Sequence, residues 1–167
     1  MKLNLIQSSP ETPVFAQIDL KNMVLKVKDG AATPLEVEIK IGEGNLTYSE
    51  KVTIEYTLDR GVLDEVREGD EVPVEVSFDL TWELLLGGDI KKIIRGNADG
   101  GTYKSTDADV CRPYACDIEI VYTPPCATSL AETVVLPDFR VESIDSDLRA
   151  GTLSVSGKCN VKEIPTV

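Results

Sequence analysis

Apolar and polar residues alternate along most of this chain with a period of two. That is the repeat of a strand that hides one face and wets the other. Leu35, Val37, Ile39 and Ile41 alternate with Glu36, Glu38 and Lys40. Leu46, Tyr48, Val52, Ile54, Tyr56 and Leu58 then share one phase, interrupted only by Glu50, with Thr47, Ser49, Lys51, Thr53, Glu55, Thr57 and Asp59 opposite. The strictest run is Val72, Val74, Val76, Phe78, Leu80, Trp82 and Leu84. Its apolar phase predicts that Phe78 and Trp82 are buried. The other face reads Glu71, Pro73, Glu75, Ser77, Asp79, Thr81 and Glu83. Shorter strands are predicted at Ile118 to Tyr122, stopping at Pro124-Pro125, and at Thr133 to Leu136, stopping at Pro137. Leu153, Val155, Cys159 and Val161 mark a last strand with a bulge expected at Gly157. Val14 to Leu20 and Met23 to Val27 are weaker strand candidates near the N-terminus.

The breaks in this alternation predict the connections. Gly42-Glu43-Gly44 reads as a hairpin turn between the strands at Leu35 and Leu46. Gly61 to Asp70 reads as a connection that Val62, Leu63 and Val66 keep from being purely solvated. One short helix is expected at about residues 89–95, with Asp89 as N-cap, Ile90, Ile93 and Ile94 at helical spacing, and Gly96 as the stop. Lys92 and Arg95 lie toward its carbonyl end, where the helix dipole favours cations. Asn97 to Pro113 is a polar stretch without periodicity, long for a loop in a compact domain. Ordering such a segment costs entropy that a partner's contacts can offset. Asn97, Gly100, Gly101, Tyr103, Lys104, Asp107 and Asp109 are therefore candidates for contact with a neighbouring subunit. The fold class that follows is mainly β: a β-sandwich or partly closed barrel of amphipathic antiparallel strands with one short α-helix. Residues 1–167 are expected to form one domain, with 1–33 as an N-terminal segment.

Composition removes most chemistry. The 167 residues hold no His, so the commonest general base is missing and Ser-His and Cys-His nucleophiles are excluded. Acidic pairs are plentiful, but 29 acids make chance proximity near certain, and aromatic residues are only 5%, thin for a sugar cleft. Asp107-Ala108-Asp109 lacks the turn Gly and the closing Glu of a calcium loop. Asn45-Leu46-Thr47 matches a glycosylation sequon, but no signal peptide leads the chain to that machinery. Cys111 and Cys116 have C-x4-C spacing, Cys126 and Cys159 stand alone, and Cys116 and Cys159 fall in the apolar phase of their strands. They read as reduced core thiols rather than zinc ligands. No cofactor, no metal and no enzymatic activity are expected. The N-terminus is too polar for a signal peptide, and no apolar run approaches the roughly 18 residues of a spanning helix. A cytoplasmic site of synthesis is expected.

With 17 basic and 29 acidic residues the net charge is −12, which disfavours a grip on phosphates. Glu71, Glu75, Asp79 and Glu83 share one strand face. Such a row is either a solvated face that discourages edge aggregation or the wall of a channel that repels polyanions. Asp117 and Glu119 offer a competing acidic pair for the same wall.

Three blocks resemble the major tail tube proteins of long-tailed, non-contractile bacteriophages. The first is Gly42 to Lys51 followed by Ile54-Glu-Tyr-Thr-Leu-Asp-Arg-Gly-Val-Leu-Asp-Glu-Val-Arg-Glu-Gly-Asp70. The second is Asp107-Ala-Asp-Val-Cys-Arg-Pro-Tyr-Ala-Cys-Asp-Ile-Glu-Ile-Val-Tyr-Thr-Pro-Pro-Cys126. The third is Leu136-Pro-Asp-Phe-Arg140 with Asp147 to Val161. The resemblance covers roughly residues 40 to 162 and carries no catalytic residues. It implies homo-hexameric rings stacked into a tube, an inner sheet lining the lumen, other tail proteins as partners, and genome DNA passing through without specific binding. It also implies a place in the virion tail after assembly in the host cytoplasm. The rival readings are another tail or secretion-tube component, and an acidic β-sandwich module that binds carbohydrate or protein.

Overall fold

A computed structural model of the chain describes residues 23–41, 44–82, 84–85, 88–96, 103–123 and 131–164. The elements are β1 (Met23–Lys28), β2 (Glu36–Ile39), β3 (Leu46–Ser49), β4 (Ile54–Asp59), β5 (Val62–Glu68), β6 (Val74–Thr81), β7 (Leu84–Leu85), β8 (Gly88–Asp89), α1 (Ile90–Ile94), β9 (Cys116–Tyr122), β10 (Glu132–Asp147) and β11 (Thr152–Cys159). The mainly-β expectation holds. The candidates at Val14 to Leu20, Glu83, Asn97, Gly100, Gly101 and Cys126 lie outside the described residues.

Seven strands form one antiparallel sheet in the order β2-β1-β9-β10-β11-β6-β3. It curls round a core made of its own inward phases: Leu25 and Val27 from β1, Ile118 and Ile120 from β9, Leu153 and Val155 from β11, and Val74, Val76, Phe78 and Leu80 from β6. Ile90, Ile93 and Ile94 of α1 are buried in the same core. Thr81 N–H, at the end of β6 past the short edge strand β3, donates to Lys40 O just after β2 at 2.9 Å, bringing the two sides of the sheet together without a continuous closing ladder. The barrel is therefore partly closed. The helix stops where expected: Gly96 takes a φ of 68°, and the Tyr114 ring packs where its side chain would stand.

Four expectations are corrected. β2 and β3 do not form the hairpin expected across Gly42 to Gly44, two of whose residues lie outside the described ones, because β2 pairs with β1 while β3 pairs with β6 at the far edge of the sheet. The segment 61–70 is a strand, β5, paired with β4. Its apolar residues do not alternate because the register shifts at Thr57/Leu58 and leaves Asp64 bulged, so Leu63 and Val66 reach one face though three apart. The strand at Thr133 does not stop at Pro137 but continues to Asp147. Pro137, which has no N–H to give, sits in a bulge between Leu136 and Phe139, where Asp138 takes a φ of 49° and donates its N–H to Asp117 Oδ1 at 2.9 Å. Finally, the bulge expected at Gly157 lies in the partner strand, between Val141 and Ser143. Gly157 is required because a side chain there would strike the Arg140 carbonyl and the Phe139 ring.

Phe78 is fully buried, while Trp82 is half-buried and packed against the core, with Lys91 Nζ 6.0 Å from its ring centroid. Cys116 and Cys159 are core residues on either side of Phe139 in register. Burial pushes both thiols up to about 12. Cys111 is exposed.

Candidate functional site

The acidic candidates fall on the outer face of the curled sheet, opposite the core phase. Glu75 and Asp79 stand on β6, and Asp117 and Glu119 on β9. The two sets proposed as alternatives for a channel wall thus share one face of one sheet. Glu71 precedes β6 and pairs with Lys162 at 3.2 Å.

This face has two unlike halves. On the β2-β1-β9 side, Lys28 bridges Glu36 (3.0 Å) and Glu119, and Lys26 also reaches Glu36. The hydrogen bond to Glu119, then that to Glu36, holds the Lys28 amine above its ordinary range. On the β10-β11-β6-β3 side a row of small hydroxyl residues crosses the strands, flanked by Glu75, Lys158 and Glu142. Thr47, Ser77, Ser156 and Ser143 stand in register across the four strands. Ser143 Oγ and Ser156 Oγ are 2.8 Å apart, and Thr47 Oγ1 donates to Ser77 O at 3.3 Å. The next row is Asp79, Ser154 and Asp145, with the Ser154 hydroxyl on Asp79 at 2.5 Å and Asn45 N–H donating to Asp79 at 3.2 Å. On the other side of the hydroxyl row, Glu75 faces Lys158 in register and pairs with Lys51 at 2.5 Å. The Lys51 hydrogen bond holds the Glu75 carboxyl below its ordinary range. Of the described acids in this row, Glu71 and Glu75 each pair with a lysine, and Asp79 accepts a hydroxyl and a backbone N–H.

The loop candidates are placed in part. Its second half folds onto the chain's own body. Asp29, 4% exposed, accepts the N–H groups of Leu35 (2.7 Å) and Lys104 (3.2 Å), and Gly30 N–H donates to Lys104 O at 2.9 Å. Tyr103 packs against the core. Asp107 pairs with Arg140 and, at 3.3 Å, with Arg112, while its backbone partner is Asp109 N–H at 3.0 Å. That backbone bond is the largest of the effects holding Asp107 below its ordinary range. Thr106 Oγ1 donates to Asp138 at 2.8 Å. Asp117, beside this cluster, is pushed up chiefly by burial.

The feature that sequence reasoning assigned to the wrong place is the β4–β5 hairpin. Ile54, Tyr56 and Leu58 of β4 and Leu63 and Val66 of β5 share one face, and all are at least half exposed. The other face carries Glu55 paired to Arg67 at 2.6 Å, with Thr57 and Glu65. Its turn is two residues, Arg60 and Gly61, with φ of 51° and 83°, the twist that suits a tight hairpin. Asp59-Arg60-Gly61-Val62 could have signalled it, but the usual Asn or Asp before the turn Gly is replaced by Arg.

Among the described residues no group of His, Cys, Asp or Glu is placed to hold a metal ion. What the arrangement offers is surface: one wide polar face and one amphipathic arm.

No protein-family model and no curated protein matches the chain. Solved structures do. Over 92% of this chain and 99% of the other, it is similar, with a TM-score of 0.55 and 12% identity, to a chain from the cryo-EM structure of an extracellular contractile injection system, PVC sheath/tube terminator in extended state. It is also similar, at a TM-score of 0.45 and 10% identity over 95% of this chain and 97% of the other, to a chain of the anti-feeding prophage baseplate. Only the first bears on the argument, and at that identity it is a likeness of fold. The chain thus shares its fold with a component of an extracellular contractile injection system, a different likeness from the one to tube subunits of non-contractile phages.

Proposed function

We propose that this chain is a structural subunit of a phage-tail-like tube, built to assemble rather than to catalyse. The observation that carries this is the contrast between a buried core and an amphipathic hairpin whose apolar face is left exposed among the described residues. A lone two-stranded hairpin is marginal in water, so its apolar face is designed for contact with another molecule. The likeness to the terminator chain supplies the kind of assembly.

In its finer form the proposal is that copies close into six-fold rings that stack as the conduit for genome DNA, in a virion tail put together in the host cytoplasm. The face of β10-β11-β6-β3 is then the lumen wall. Small hydroxyls and acids hold water, and the lysines of this face, Lys51 and Lys158, are each paired with a carboxylate, Glu75 and Glu142, which weakens their hold on phosphates. Repulsion from Asp79 and Asp145 reaches only about 8 Å at physiological salt, which suffices where DNA nearly fills the bore. The loop candidates Asn97, Gly100 and Gly101 remain proposed contacts with a neighbour. A second reading, a terminator that caps a tube made by another protein, is favoured by the likeness to a chain of a sheath/tube terminator.

Electron microscopy of the purified, concentrated protein tests the proposal. Stacked six-fold rings are expected. Rings that never extend favour the terminator, and a monodisperse monomer at high concentration favours an acidic binding module. In tails that assemble, Ser77→Lys should slow DNA release at least several-fold. Unchanged release from correctly built Ser77→Lys tails would turn this face away from the lumen.

A further inference from the structure

We propose that the apolar face of the β4–β5 hairpin docks on the basic end of a second copy of this chain, the end formed by α1, Trp82 and the β10–β11 turn. This rests on reading the chain as an assembly subunit and adds which surface meets which.

The hairpin presents Tyr56 at 60%, Leu58 at 62% and Leu63 at 57% exposure on one face. Its charge is acidic: with Glu55 and Arg67 paired to each other, Asp59, Asp64, Glu65 and Glu68 remain against Arg60. A partner must therefore offer apolar surface rimmed by cations. In a chain of net charge −12, one end of the fold does so. Trp82 N–H donates to Gly151 O at 2.8 Å, and Lys91 Nζ, beside the Trp82 ring, reaches Ser146 Oγ at 3.2 Å. These contacts gather the half-buried indole, the 80% exposed Leu148 and Arg149 of the turn, Lys91 and Lys92 of α1 and Arg95 just past it into one patch, in which Asp147 Oδ1 accepts the Arg149 and Ala150 N–H groups.

The two surfaces lie at opposite ends of β6. The hairpin's base, closed by Gly69 N–H donating to Thr53 O at 2.8 Å, lies toward the Val74 end, where Lys51 pairs with Glu75. The patch begins just past Thr81. At ~3.4 Å per residue the strand separates them by about 24 Å. Each copy then gives one hairpin and receives one, a head-to-tail contact whose repetition produces a ring or a filament rather than a closed dimer.

Complementation separates this arrangement from others. Tyr56→Ser with Leu58→Ser disables the hairpin, and Arg95→Glu with Arg149→Glu disables the patch, all at exposed positions that leave the core intact. Sedimentation of each variant alone should show association lost. An equimolar mixture should give a 1:1 dimer that does not extend, because it contains one working hairpin and one working patch. A patch variant that assembles like the wild type overturns the docking, as does a mixture that stays monomeric. The two ideas fail separately. Tubes formed by the patch variant defeat the docking and leave the tube reading. Head-to-tail wild-type assemblies without six-fold rings do the reverse.

Discussion

Strand β6 and the β4–β5 hairpin carry the same kind of sequence and meet opposite fates. Both alternate apolar and polar residues. Val74, Val76, Phe78 and Leu80 end in the core with 2% exposure or less, whereas Ile54, Tyr56 and Leu58 keep 50% or more. The difference lies in neighbours. β6 is paired on both sides, by β11 and β3, and its inward face closes on α1 and the opposite wall of the curl. Among the described residues, the hairpin's strands pair only with each other. Alternation thus records that a face is buried somewhere, and does not say whether the covering surface belongs to the same chain.

The largest test of this contrast is a matched truncation. Phe78→Ala empties a packed site where its ring meets Phe139 at 5.9 Å, and should cost about 3–5 kcal/mol. Tyr56→Ala should change the stability of the unassembled chain by no more than ~0.5 kcal/mol. Denaturant melts of dilute protein measure both. A Tyr56→Ala loss approaching that of Phe78→Ala would mean the hairpin is covered within its own chain.

Two glycines sharpen the comparison at smaller scale. Gly157→Ala drives a methyl into the Arg140 carbonyl and the Phe139 ring and should cost about 1–3 kcal/mol of global stability. At Gly61 nothing stands within 4 Å, so Gly61→Ala meets only the strain of its 83° φ, about 1–2 kcal/mol, confined to the hairpin. Hydrogen exchange of β4 and β5 amides should accelerate while the melting point of the sheet holds. Equal loss in both would show that the hairpin and sheet open as one unit.

The thiols divide the same way. Cys111 should be alkylated quickly in the native protein, and Cys116 and Cys159, held protonated by burial, only after unfolding. Peptide mapping after a short pulse of iodoacetamide reads this. Labelling of Cys159 at the rate of Cys111 would mean that β11 leaves the sheet under native conditions.

The sequence made the curled sheet legible wherever one strand's pattern ran unbroken. β6, β9, the helix at Ile90 to Ile94 and the core thiols Cys116 and Cys159 follow from periodicity alone. What escaped it was pairing. β2 and β3 look like hairpin neighbours across Gly44, yet they take opposite edges of one sheet, a choice made by β1 and β6 rather than by the turn. β10 was cut short because Pro137 normally ends a strand, and only the partner carboxylate of Asp117, receiving Asp138 N–H, lets the chain bulge and go on. The hydroxyl row of Thr47, Ser77, Ser156 and Ser143 is invisible in one dimension, since its members come from four strands. Glu75 and Asp79 were legible as one face, but Lys51 and Ser154, which quiet them, come from elsewhere in the chain.

The smallest effect expected is in the acid cluster beneath the loop, where two carboxyls respond to pH in opposite senses. Asp107 is held below its ordinary range by the Asp109 N–H, helped by Arg112 and Arg140. Its stabilisation is present above the unfolded-chain value near 3.8 and is lost as pH falls through the lower folded value. Asp117 is held above that value because burial penalises its charge, although Asp138 N–H partly offsets this. For a raised carboxyl the folded state binds the proton more tightly, so stability is greatest below the unfolded value and declines as pH rises through the folded one. Asp117→Asn keeps an oxygen to accept Asp138 N–H and removes the charge. It should raise stability at neutral pH and leave it unchanged well below pH 3.8, where wild-type Asp117 is already neutral. Asp107→Asn should do the opposite, costing stability at neutral pH and little in acid. Melting temperatures of both variants across pH 3 to 8 read the two slopes. If Asp117→Asn destabilised the chain at neutral pH, its charge would be serving Lys28 or the loop more than burial costs it, and the acid side of the outer face would be a built ionic network rather than a by-product of the bulge.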